Sequence, residues 1–81
     1  MDIVSFSFPS SQLKNETQDS LNNSIINLLE KFKSAYFLDF HYQYMLCGSS
    51  IEYDIFELNY DYIEILEVVF DSSNILYKSY Y

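Results

Sequence analysis

Arginine and tryptophan are both missing from this 81-residue chain, and glycine, proline, cysteine and histidine occur once each. Four lysines face 12 acids, for a formal net charge of −8. Binding to nucleic acid draws much of its affinity from Lys and Arg replacing counterions on phosphates, so direct nucleic-acid binding is disfavoured, as is an anionic membrane surface. With no glycine-rich loop and no arginine, a phosphate cradle is unsupported. The lone Cys47 cannot form an intramolecular disulfide, which fits a reducing compartment. Zinc needs clustered Cys and His, and Gly48 has no acid within three residues on either side to make a calcium loop.

Other absences bound the location. No apolar run approaches the ~18 residues that span a bilayer. Met1 is followed by Asp2 rather than by a basic start and an apolar segment, so a cytoplasmic, non-exported protein is expected. The acceptor-like triplets Asn15-Glu16-Thr17 and Asn22-Asn23-Ser24 are then read as chance.

Catalysis is disfavoured on similar grounds. A Cys/His pair is the only conventional nucleophile arrangement that one cysteine and one histidine allow. His41 and Cys47 share a predicted strand and would stand about 20 Å apart along it. His41 reads as a partly exposed strand residue beside Asp39, and Cys47 as a small buried hydrophobe near a turn. No cofactor, metal or catalytic group is expected. Glu52, Asp54 and Glu57 offer only weak divalent-cation binding, with nothing to make it specific.

What is present is apolar material for a core, 49% of residues, with nine tyrosines and seven phenylalanines. A single α+β domain over residues 1–81 follows, of a size that buries only about 60–65% of its unfolded surface. Asp2 to Phe8 alternates Val4, Phe6 and Phe8 against Ser5 and Ser7, which predicts a strand ended by Pro9. Ser10 to Asp19 is polar and reads as loop. Leu21, Ile25, Leu28, Leu29 and Phe32 recur at helical spacing, predicting a helix over about 17–34 with Thr17 or Asp19 as cap and Lys31 and Lys33 in its last turn.

From Tyr36 to Leu46 the alternation predicts a long strand with a mostly aromatic face, turned by Gly48-Ser49-Ser50 into a second strand. There Ile51, Tyr53 and Ile55 alternate with Glu52 and Asp54. The phase slips at Ile55-Phe56, where a β-bulge would keep every acid on one face. Residues 61–71 carry β-branched Ile63, Ile65, Val68 and Val69, yet Asp61 and Glu64 have capping-box spacing, and a short helix is favoured over strand. Ile75 to Tyr81 reads as a last strand. The favoured order is β-α-β-β-α-β, the ferredoxin-like arrangement; the alternative is one helix packed on an antiparallel meander.

Charge is unevenly spread. Residues 1–33 hold four acids and three lysines, whereas seven acids and no base fall between Glu52 and Asp71. Like charges crowd there at a cost in self-repulsion that solubility alone does not require. In size and charge the chain resembles the DNA-mimic and anti-CRISPR proteins of phages and mobile elements. That resemblance implies an inhibitor that occupies a basic, nucleic-acid-binding surface of a partner protein such as a nuclease. An immunity protein or antitoxin for a basic toxin is the close alternative. A structural or adaptor subunit that self-associates through the Ile75–Tyr81 edge or an aromatic face is the distant one. The partner-binding candidates are Glu52, Asp54, Glu57, Asp61, Glu64 and Glu67 for charge, with Tyr53 and Tyr60 as anchors.

Overall fold

The computed structural model describes residues 3–12 and 17–81. The expected strand start at Asp2 and residues 13–16 of the expected loop lie outside them. Strand β1 is Ile3–Pro9, followed by a 3-10 turn at Ser10–Gln12, helix α1 at Gln18–Ala35, strands β2 at His41–Leu46 and β3 at Ser50–Phe56, helix α2 at Tyr60–Ser72, and strand β4 at Lys78–Tyr80. The sheet runs β2-β3-β1-β4 and every neighbouring pair is antiparallel. Two split β-α-β units therefore interleave, which is the ferredoxin-like arrangement rather than the meander.

Both helices lie against one face of the sheet. Val4, Phe6 and Phe8 of β1 and Ile51, Tyr53 and Ile55 of β3 point into the core, where they meet Leu21, Ile25, Leu29 and Phe32 of α1 and Ile63, Leu66 and Phe70 of α2. Aromatic rings fill the centre in place of tryptophan. Phe70 stands edge-on to Phe6 and Phe8, with centroids 5.4 and 5.2 Å apart, and Phe8 stands edge-on to Tyr53 at 5.7 Å. These are the offsets that ring quadrupoles favour.

The helices begin as side-chain oxygens dictate. Thr17 caps α1 by accepting from the Ser20 N–H. Asn59 caps α2 by accepting from the Asp61 N–H at 3.0 Å, so Asp61 sits in the first turn and is not itself the cap. Each helix ends with a left-handed residue and an N–H reaching back to an orphan carbonyl. Leu38 donates to Lys33 at 2.9 Å past Phe37 (φ 54°), and Ile75 donates to Phe70 at 3.0 Å past Asn74 (φ 58°). Asparagine tolerates that backbone; phenylalanine does so only under strain.

Several expectations are corrected. No bulge interrupts β3, whose register against β1 and β2 runs unbroken to Phe56. The phase changes because the strand stops there and Glu57 turns the chain with φ 66°. Phe56 consequently falls on the same sheet face as Asp54. Strand β2 begins at His41, because α1 and its cap consume Tyr36 and Phe37, and β4 is shorter than expected. Cys47 is half-exposed rather than buried.

Two glutamines tie the loops down. Gln18 donates its side-chain amide to the Cys47 carbonyl and, at 3.0 Å, to the Ser50 carbonyl, anchoring the start of α1 to the β2–β3 turn. Gln12 donates to the Leu76 carbonyl at 3.2 Å and accepts from its N–H at 2.7 Å, which holds the approach to β4.

Candidate protein-binding surface

The acidic residues do not form one ladder. Glu52 and Asp54 alternate with the buried residues of β3 and so project from the sheet face opposite the helices. Each is held by neighbours rather than neutralised. Ser5 donates to Asp54 at 2.7 Å and Gln43 at 3.2 Å, while Ser7 donates to Glu52 at 2.5 Å. The donors are neutral hydroxyl and amide groups, which bring no positive charge to offset the carboxylates.

Asp61, Glu64 and Glu67 lie on α2, on the far side of the sheet, and Glu57 is exposed at the left-handed bend between the two groups. The candidates thus make two patches joined by a corner. Among the described residues, no lysine or histidine nitrogen comes within 4.0 Å of a carboxylate.

Tyr53 is not an anchor. It is 1% exposed, its ring stacks beside Tyr44, and its hydroxyl donates to Asn22 Oδ1 at 2.5 Å. Its place between Ile51 and Ile55 in the alternation puts it inward, and the buried amide of Asn22 receives its polar tip. Burial pushes its hydroxyl well above the ordinary tyrosine range.

Tyr60 does face solvent, at 51% exposure, as the first residue of α2. Its ring lies 6.2 Å from that of Tyr81, and together with Ile63 and Glu64 the two line an open cleft of about 350 Å³. Glu67 fixes the far wall by accepting from the Tyr81 hydroxyl at 2.7 Å and from Ser79 at 3.2 Å. That hydrogen bond, then burial, raises the Tyr81 pKa, which keeps its hydroxyl a donor. Burial, with Glu67 and Asp71 nearby, pushes Tyr77 up to about 12.

Tyr81 is not legible as a site residue in the sequence, where it ends an expected strand; it reaches Tyr60 only because the chain at the end of β4 lies against α2. Nor are Ser5 and Ser7, whose role follows from register alone. No protein-family model matches the chain, and no curated protein matches its sequence. Among the described residues no helix is long and apolar enough to cross a membrane. No group of three or more His, Cys, Asp or Glu among them is placed to hold a metal ion.

Proposed function

We propose that the chain is a non-enzymatic acidic binding protein that occupies a basic, nucleic-acid-handling surface of a partner protein, in the manner of DNA-mimic and anti-restriction or anti-CRISPR inhibitors. The observation that carries this reading is the cleft of Tyr60, Ile63, Glu64 and Tyr81, which joins aromatic walls to the Glu64 carboxylate. A lysine or arginine of the partner inserted there meets ring faces, worth about 0.5–2 kcal/mol as cation–π contacts, and a charge-assisted bond to Glu64. Glu67 orders Tyr81 beforehand, which lowers the entropy lost on binding. Asp61 and Glu67 near the cleft, Asp71 at the far end of α2, and Glu52, Asp54 and Glu57 around the corner raise the encounter rate with a basic surface.

Direct catalysis finds little support, since His41 opens β2 and Cys47 lies beyond its end. Self-association through the Ile75–Tyr81 edge is also weakly supported, because β4 is only three residues long and carries Lys78. An immunity or antitoxin role uses the same surface and differs in the breadth of targets.

The test is an affinity capture from host lysate with the unmodified chain and two variants. The first, Glu52→Lys with Asp54→Lys, reverses the sheet face; the second, Tyr60→Ala with Glu64→Lys, removes the cleft. The expected outcome is capture of a basic nucleic-acid-handling protein, weakened at least about thirtyfold by the cleft variant, as for removal of a binding hot spot. If the same partner binds both variants undiminished at moderate salt, the electrostatic reading is wrong.

A further inference from the structure

Strand β2 closes one side of the sheet, and among the described residues no strand pairs with its outer edge. The Cys47 N–H donates to the Ser50 carbonyl across the hairpin at 2.8 Å, so the backbone of Cys47 faces β3. In an antiparallel ladder the direction alternates, which turns the N–H and C=O groups of Leu46, Tyr44 and Tyr42 away from β3. Met45 is 66% exposed, and Tyr44 and Leu46 are also exposed. Natural sheets blunt such edges with lysine, proline, bulges or very short strands. The edge at β4 has two of these devices, its length and Lys78; the described β2 has none of them.

We infer that this edge pairs with the same edge of a second copy, giving a two-fold dimer with one continuous antiparallel sheet. Charge selects the occupant. A chain of net charge −8 can approach its own copy only over a neutral surface, and residues 40–51 carry no acid and no base but His41. The helix that packs beside this edge is also balanced. Tyr42 donates to Glu30 of α1 at 2.6 Å and Lys33 of α1 lies over the Phe40 ring at 5.3 Å. Within α1, Asp19 and Glu30 are offset by Lys31 and Lys33. A basic partner would be drawn instead to the acidic flank along α2, a helix that carries no lysine.

Distance removes the remaining objection. In the paired sheet the two β3 strands, with Glu52 and Asp54, stand three strand spacings apart, about 14 Å. That exceeds the Debye length of about 8 Å at physiological salt, so their repulsion is largely screened. A two-fold axis at Tyr44 sets Tyr44 against its symmetry mate, Tyr42 against Leu46 of the second copy and Gln43 against its Met45. Every outward N–H and C=O then meets a counterpart, and no like charges are opposed. The Tyr44 ring is already ordered by its stacking on Tyr53, with centroids 5.3 Å apart. Dimerisation would place the Glu52 and Asp54 pairs of both copies on one extended face.

Amide hydrogen exchange of the intact chain over a range of concentrations, paired with sedimentation equilibrium up to the millimolar range, tests the inference. Dimerisation slows exchange at Tyr42, Tyr44 and Leu46 at least about tenfold as concentration rises, while Gln43 and Met45, already bonded to β3, stay unchanged. Leu46→Lys weakens self-association at least about thirtyfold, and Tyr80→Lys on the opposite edge leaves it intact. A chain that stays monomeric throughout, or whose outward β2 amides exchange freely at every concentration, overturns the inference whether or not the lysine variants fold. So does loss of the dimer in Tyr80→Lys with retention in Leu46→Lys.

Discussion

The two halves of this sheet are built alike and charged differently. On one side α1 packs beside β2; on the other α2 packs beside β4. Helix α1 has Asp19 in its first turn and Lys33 in its last, so both ends of its dipole meet the charge they favour. Helix α2 has Asp61 in its first turn but no base in its last, where Asp71 faces the negative end of the dipole. Glu64, Glu67 and Asp71 also follow one another at helical intervals, an arrangement that repels by about 0.2–0.5 kcal/mol per pair. The acidic side is therefore held at some cost to stability, while the neutral side is locally optimised. The fold tolerates this on one flank alone, so its two flanks differ in character: acidic along α2, neutral along α1 and β2.

Both flanks rest on one shared contact at the middle of the sheet. Tyr53 lies at the centre of the sheet, and its hydroxyl joins β3 to Asn22 of α1. Tyr53→Phe leaves Asn22 Oδ1 buried without its donor and should lower stability by about 1–3 kcal/mol in a denaturant titration. The alkaline limb offers a second readout. Tyr42 and Tyr77 are each pushed up to about 12, both chiefly by burial; Tyr53 is raised further for the same reason. A neutral hydroxyl whose folded pKa exceeds its unfolded value contributes stability that is complete below about pH 10 and is lost as pH rises through the folded value. The protein should thus weaken between about pH 10 and 12, less steeply in Tyr53→Phe. An unchanged alkaline limb would show that Tyr53 does not bear this load.

The two helix ends differ as well. Phe37 and Asn74 occupy equivalent left-handed positions, yet Phe37 is 95% exposed. Relief of a strained φ by glycine is partly offset by glycine's greater freedom in the unfolded chain. Phe37→Gly should stabilise by about 0.5–1 kcal/mol in thermal or denaturant unfolding, and Asn74→Gly by less. Strained residues cluster where proteins bind. A gain in stability at Phe37 would mark an aromatic side chain kept at a cost, as the acids of α2 are.

Much of this was legible in the chain. The period of α1, the alternation of β1 and the hairpin at Gly48 marked the first four elements in order, because each pattern is imposed by burial on one face. The inward place of Tyr53 was legible too, and its choice as an anchor set tyrosine's general preference for interfaces above its own alternation. Residues 61–71 were ambiguous because β-branched side chains fit either a strand or a packed helix, and the cap at Asn59, not a pattern within the segment, marks where the helix begins. Phe37 and Glu57 were not legible. Left-handed backbone at a non-glycine residue is imposed by the surrounding packing, and nothing in a phenylalanine or a glutamate announces it. The cleft was half legible: Tyr60 was singled out, but Tyr81 reaches it only through the β4–α2 contact.

The last turn of α2 bears most directly on why the two flanks differ. Asp71→Lys replaces an acid at the negative end of the α2 dipole with a base and removes its repulsion with Glu67. It should stabilise by about 0.5–1 kcal/mol at low salt, and the gain should shrink as salt screens the charges. The equivalent exchange in α1, Lys33→Asp, should destabilise by a similar amount with the opposite salt dependence. If Asp71→Lys gains stability and loses affinity for the captured partner, the acids of α2 are retained against the interest of the fold. Stability gained with affinity unchanged would instead leave Asp71 a solubilising charge, and would confine the binding surface to the cleft at the other end of the helix.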